Sequence, residues 1–247
     1  MVTTPEPAEE AVTIFNELAR LPASAREALK QKAWRLAALE RNRPGDPWVL
    51  LARARLSAKL GDAEGLRAVL DRLWPLYPAF DEQQLEFAAR HFLLAGMFER
   101  VWAVLDQRQE TPAYHGQLRL EAALGLGDPV RLQRLADSRA DEVGRVRRFL
   151  EGMENADLRE HLPALATITR QRVGEAFCGF GATLGEDETD AFPQAYLRYL
   201  VPWAFDDRFA TEQALLQDLR AYAEQNGLTP GAVLEAWLVA LMDSREF

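Results

Sequence analysis

The sequence predicts an all-α protein built as a right-handed array of helical hairpins, followed by a C-terminal helical module. Leucine outnumbers isoleucine 37 to 2, and leucine loses less rotamer freedom in a helix than β-branched residues do. Apolar residues recur at spacings of three and four, the period of an amphipathic helix. Gly61, Gly96 and Gly127 stand 35 and 31 residues apart, and this period is typical of repeated helix pairs.

The first two helices are expected at residues 8–20 and 24–42. Ser24 is followed three residues later by Glu27, which is the pattern of a capping box at a helix N-terminus. The next helix has a start signal of a different kind. Asp46 is expected to cap it, and Pro47 occupies the first helical position, where the missing N–H is not needed.

The middle of the chain is expected to form three helix pairs, each with a glycine between its two helices. The expected pairs are 48–60 with 63–76, 82–95 with 98–109, and 114–126 with 130–138. A proline closes the first two pairs, at Pro78 and Pro112, and Gly127-Asp128-Pro129 separates the helices of the third.

These residues resemble the tetratricopeptide repeat family over positions 47–140. The best unit, 47–78, has Leu50, Ala54, Gly61 and Pro78 at family positions, and the second unit has Leu85, Ala89, Phe92 and Gly96. The resemblance implies an α-solenoid with a concave groove. The chain departs from the family where a small residue is expected in the second helix, because Leu66, Val101 and Leu132 stand there. This departure implies looser or differently angled packing, and an antiparallel helical bundle remains the alternative.

Beyond residue 140 the repeat pattern fades, and five further helices are expected. They are predicted at 141–153, 157–177, 191–204, 211–226 and 230–244. Pro163 should kink the second of these, and Phe192, Tyr196, Tyr199 and Trp203 should form a buried stripe on the third. We therefore expect a helical-repeat domain at 1–155 and an acidic helical module at 156–247, either separate or packed together as one body.

The stretch FCGFGATLGEDETD, residues 177–190, is predicted to be a hinge. Its glycines do not fit a dinucleotide fingerprint, which must follow a strand and has one residue fewer before the last glycine. Its acids lack the spacing of a calcium loop and suit the start of a helix. Cys178 is expected to be a small core residue, with a catalytic thiol as the alternative.

The charge and composition disfavour several classes of partner. The net charge is −9, with −1 in residues 1–155 and −8 in residues 156–247, and a negative field repels phosphate backbones. No apolar run is long enough to span a membrane. The acidic start is unlike a secretory signal, and a single cysteine cannot form an internal disulfide. We expect a cytoplasmic protein without nucleic acid, membrane, metal or cofactor.

The resemblance also implies which residues face the groove and bind a partner. Arg55 and Arg90 fall at equivalent places, so their guanidinium groups are expected to clamp a carboxylate or an acidic peptide. The alternative is that both point to solvent or pair with Glu86 and Glu121. The full set of expected partner-binding residues is Trp48, Leu51, Arg55, Gln83, Glu86, Arg90, Tyr114, Gln117 and Glu121.

Two functions follow from the sequence. The favoured one is a non-enzymatic scaffold or adaptor that binds a peptide or protein partner in the groove. The alternative is an enzyme, or a domain that binds a small ligand or metal, with its site near Cys178 and the acidic run at 186–190. The C-terminal helices are a third candidate surface, for dimerisation.

Overall fold

The protein is mostly helical and carries one small sheet near its C-terminal end. The computed structural model describes residues 7–106, 113–138, 143–185 and 194–244. The first eight helices are α1 (Pro7–Arg20), α2 (Arg26–Asn42), α3 (Pro47–Leu60), α4 (Ala63–Leu73), α5 (Glu82–Leu94), α6 (Phe98–Leu105), α7 (Ala113–Leu126) and α8 (Pro129–Ala136). The remaining elements are α9 (Val143–Asn155), α10 (Leu162–Val173), β1 (Gly179–Leu184), β2 (Ala195–Val201), α11 (Phe205–Gln225), α12 (Pro230–Ala236) and β3 (Trp237–Asp243). Along the described ranges, no helix combines the length and the apolar character needed to cross a bilayer.

Aspartates and glycines set the boundaries of the paired helices. The Asp46 carboxylate accepts hydrogen bonds from the first N–H groups of α3, and Asp62, Asp81 and Asp128 do the same for α4, α5 and α8. These bonds satisfy donors that have no partner inside the helix. Gly61, Gly96 and Gly127, which follow α3, α5 and α7, have φ of 71°, 71° and 63°. The residue before α2 is Ala25, with no side-chain cap, so the expected Ser24 capping box does not form.

The helix pairs pack so that the first helices of successive pairs are neighbours. Helix α3 packs against α1, α4 and α5, and α5 packs against α6 and α7. Leu66, Val101 and Leu132, the large residues at family positions for small ones, are fully buried in the second helices. These second helices therefore meet their neighbours through full-sized apolar side chains.

The sheet has the order β1-β2-β3. Strands β1 and β2 are antiparallel, with Ala182 opposite Leu197. Strand β3 is parallel to β2, and α11 with α12 makes the connection between these two strands. Strand β1 packs against α5 and α7. The Trp237 indole N–H at the start of β3 donates to Thr169 Oγ1 on α10 at 3.0 Å. These contacts attach the sheet to the paired helices.

Two predictions for the C-terminal part are wrong and a third holds only in part. The segment 191–204 was expected to be helical but contains β2, and β1 occupies the expected hinge at 177–190. The helix expected at 230–244 forms only over α12 and gives way to β3 at Trp237. In β2 alternate residues are buried and Arg198 is exposed, which is a strand period of two. Tyr199 is buried as expected, whereas Phe192 lies outside the described residues.

The predicted helix at 157–177 is also shorter than expected. A 3-10 turn at Arg159–His161 precedes α10, which begins at Leu162 and ends at Val173. Pro163 therefore lies in the first turn of α10, where it starts a helix instead of kinking one.

Candidate functional site

A cavity of about 500 Å³ lies between the paired helices and the sheet. Its lining comes mainly from α3, α5 and α7, with Ala19 of α1, and on the other side from β1, β2 and the residues next to the sheet, Cys178 and Ser244. The polar and sulfur-containing residues of the lining are Arg55, Lys59, Arg90, His91, Gln117, Glu121, Cys178 and Ser244. The volume is within the range of sites that hold organic ligands or side chains of a partner.

The nine predicted groove residues separate into two groups. Arg55, Arg90, Gln117 and Glu121 line the cavity together, although they come from three different helices. The other five residues do not line the cavity or have a side chain outside the described residues. Leu51 is fully buried in the core, Gln83 is exposed and Glu86 is half-buried, both outside the cavity lining. Trp48 packs edge-on against Phe15 at 5.6 Å, and the side chain of Tyr114 lies outside the described residues.

Arg55 is a half-buried cation held by neutral groups. Its Nη1 donates to the Phe15 carbonyl at 3.0 Å, and its guanidinium carbon lies 3.6 Å from the centre of the Phe15 ring. Among the residues that the structure describes, no carboxylate oxygen lies within 4.0 Å of this guanidinium. Burial, and to a smaller extent the charge of Arg90, lower the pKa of Arg55 to about 10. Arg55 is therefore a half-buried positive charge that no acidic side chain in the described part of the chain meets at ion-pair distance.

The polar part of the cavity is positive although the whole chain is negative. Of the described side chains in the lining, Arg55, Lys59 and Arg90 are cationic, and Glu121 is the carboxylate. Arg90 is exposed, so this part of the cavity is accessible from solvent. Low-dielectric walls focus such a local field, which makes an anionic ligand group favourable here.

Gln117 and Glu121 have a structural role at the edge of the sheet. Gln117 Nε2 donates to Glu121 Oε1 at 2.9 Å and to the Ala182 carbonyl of β1 at 3.3 Å. Because β1 is an edge strand, its outward polar groups need partners other than another strand. Burial raises the pKa of Glu121, an effect that the hydrogen bond from Gln117 opposes. Both residues therefore fasten β1 to α7 besides lining the cavity.

His91 is a buried neutral imidazole in the wall. Its Nδ1 lies 2.6 Å from the Phe87 carbonyl, and since a carbonyl only accepts, Nδ1 carries the proton and Nε2 is unprotonated. Burial lowers the pKa of His91 to about 4; the Phe87 hydrogen bond opposes this shift, and the charges of Arg55 and Arg90 add to it. The histidine therefore adds no positive charge near neutral pH.

Cys178, directly before β1, lies on the strand side of the cavity but lacks the environment of a nucleophile. Its thiol is buried, with Sγ 3.7 Å from the Leu200 carbonyl. Burial raises the pKa of Cys178, which the neighbouring Ser244 hydroxyl opposes in part. Reactive cysteines have a lowered pKa instead. The acidic run 186–190 lies outside the described residues, and the described part of the chain has no cluster of three His, Cys, Asp or Glu side chains suited to a metal.

Comparison with models of known protein families, with curated proteins and with solved structures finds no match for this chain. The resemblance to tetratricopeptide repeats therefore stays a prediction, and function has to be argued from the geometry.

Several residues of the cavity were not predicted from the sequence. Lys59 is one turn after Arg55 on α3, so the i, i+4 spacing of two cations was an available signal. Phe180 and Leu200 reach the cavity only because their segments are strands of the sheet. Nothing local in the sequence indicated that a sheet would cover this side of the helices.

Proposed function

We propose that the protein is a non-enzymatic interaction scaffold whose helical hairpins form a solenoid-like array and bind a carboxylate-bearing peptide or protein segment at Arg55. The adjacency of α1, α3, α5 and α7 supports the array. The observation that carries the proposal is the Arg55 guanidinium, half-buried in a cavity beside Arg90 without a carboxylate partner among the described residues.

The physical argument is one of incomplete charge compensation. Removing a charge from water is unfavourable unless an opposite charge or several hydrogen bonds replace the water. Arg55 uses one N–H for the Phe15 carbonyl, and a guanidinium has five N–H donors in all. The remaining donors suit a carboxylate, which binds arginine through two parallel hydrogen bonds. A bound carboxylate would also reduce the repulsion between Arg55 and Arg90.

The expected partner is a protein or peptide, and a cytoplasmic location remains a prediction. The net charge of −9 continues to disfavour nucleic acid as the ligand. Since burial raises the pKa of Cys178, we do not propose catalysis by this thiol.

Selection from a display library of random peptides tests the proposal. We expect the peptides retained by the wild-type protein to be enriched in aspartate and glutamate relative to the starting library. The enrichment should decrease when the washing buffer is raised from low to high salt, because a partly exposed ion pair is screened. Retention of basic peptides, or of peptides without any bias in charge, would contradict the proposal.

A further inference from the structure

The cavity is lined by apolar side chains as well as by cations. The cations Arg55, Lys59 and Arg90 come from α3 and α5, and the apolar residues include Leu94 of α5, Phe180 of β1 and Leu200 of β2. Leu94 and Leu200 are half-buried, so they present apolar surface to the cavity that the fold itself leaves uncovered. A site lined by both cations and apolar side chains favours ligands that carry both a negative charge and an apolar group.

We infer that the ligand group of this cavity is an apolar carboxylate, meaning a carboxylate joined to an uncharged hydrocarbon group of leucine or phenylalanine size. The inference rests on the proposed function, because it assigns the carboxylate to Arg55. It adds that the hydrocarbon group covers Leu94, Phe180 and Leu200. Covering apolar surface stabilises the complex in proportion to the area removed from water, and the single methyl group of acetate covers little of it. The volume of about 500 Å³ also exceeds what a simple anion needs.

Two sources have this chemistry: a free carboxylic acid, and an acidic group next to a hydrophobic residue in a partner segment. Both place the negative charge at Arg55 and the hydrocarbon against Leu94 of α5 and Leu200 of β2. The same cavity therefore discriminates against ligands that carry only one of the two features. A purely acidic segment leaves these leucines exposed to water, and a purely apolar one leaves Arg55 without an ion-pair partner.

Four probes separate these features in an NMR titration of protein labelled at leucine methyl groups. They are 4-phenylbutanoate, its uncharged amide, acetate, and N-acetyl-leucyl-phenylalanine. Leu94 and Leu200 signals are assigned from the variants Leu94→Met and Leu200→Met. We expect 4-phenylbutanoate to shift both signals saturably, with a Kd at least tenfold below that of the amide and of acetate. The dipeptide shows whether a peptide carboxylate binds as the free acid does.

Substitutions of the cationic residues Arg55 and Lys59 complete the test. Arg55→Met should weaken binding of 4-phenylbutanoate at least tenfold. Lys59→Met should weaken it by a smaller factor, and Lys59 makes no hydrogen bond or ion pair with the described residues that this change would remove. Arg41→Met makes the same change as Arg55→Met on the exposed face of α2, and should leave the Kd within twofold. Equal affinity for the amide, equal affinity for acetate, or shifts that avoid Leu94 and Leu200 would each overturn the inference.

Failure of the apolar-carboxylate inference can be told apart from failure of the proposed function. If no small probe binds while selected acidic peptides bind in an Arg55-dependent way, the apolar-carboxylate inference fails and the scaffold proposal stands. If peptide binding is also unaffected by Arg55→Met, both fail.

Discussion

Replacing Gly127 by alanine is expected to destabilise the fold by about 3 to 5 kcal/mol, as measured by urea unfolding. Gly127 ends α7 with φ of 63°, a conformation that L side chains rarely adopt. A Cβ there would also lie 2.8 Å from the Ala166 Cβ on α10, and closer still to the Leu162 carbonyl group. Backbone atoms cannot rotate away as a flexible side chain can, so α10 would have to move away from α7.

Gly227 provides a matched control for the backbone conformation. It has φ of 69°, and a Cβ at this position would meet nothing within 4 Å. Gly227→Ala should therefore cost only the strain of the left-handed conformation, about 1 kcal/mol. Similar losses for Gly127→Ala and Gly227→Ala would show that the close packing of α10 on α7 is wrong.

Acidification from pH 7 to pH 4 is expected to remove about 3 kcal/mol of stability through His91 alone. Burial lowers the pKa of His91 from 6.5 to about 4. For a histidine with a depressed pKa, the contribution is fully present above 6.5 and is lost as the pH falls through 4, because the unfolded chain takes up the proton first. The difference in unfolding free energy between wild type and His91→Gln should therefore change by about 3 kcal/mol between pH 7 and pH 4, because only the wild type loses the contribution of His91.

The control variant must lower the free energy of unfolding without removing a side chain that titrates. Leu93→Ala, two residues away in α5 and also buried, serves this purpose. Its difference in unfolding free energy from wild type should be the same at pH 7 and at pH 4. If the His91→Gln difference is also independent of pH, then His91 is not buried as a neutral imidazole.

The paired helices were predictable because their signals are local. Asp46, Asp62 and Asp128 each precede a helix that starts within one residue of them, and Gly61 and Gly127 end helices with the positive φ that favours glycine. Each signal acts over a few residues and does not depend on the rest of the fold. The order and the approximate bounds of α1 to α8 followed from them.

The sheet was not predictable in the same way. In β2 the residues Tyr196 and Tyr199 fit a helical stripe as well as they fit alternate sides of a strand, since short apolar segments satisfy either period. What decides the structure is pairing with β1 and with β3. Each residue of β2 pairs with a β3 residue 42 positions further along the chain, for example Ala195 with Trp237. Such distant pairing leaves a weak signal in one sequence.

The candidate site was predictable where it is built from helices and unpredictable where it is built from the sheet. Arg55, Arg90, Gln117 and Glu121 were predicted to face the same groove from the resemblance to the repeat family, and all four line the cavity. The chemical character of the site, however, depends also on β1 and β2, which supply Phe180 and Leu200 to its lining. The sequence predicts an open groove at this face, whereas the structure has a cavity lined by cationic and apolar side chains and partly closed by strands.

The central claim is that the uncompensated Arg55 guanidinium binds a carboxylate of a partner. Its most direct test is the Kd of the tightest acidic peptide from the selection, measured by isothermal titration calorimetry for wild type, Arg55→Met and Arg41→Met. Circular dichroism establishes that each variant is folded at the temperature used. We predict at least tenfold weaker binding for Arg55→Met, about 1.4 kcal/mol or more, and a change within twofold for Arg41→Met. Equal affinity of folded Arg55→Met and wild type would contradict the claim.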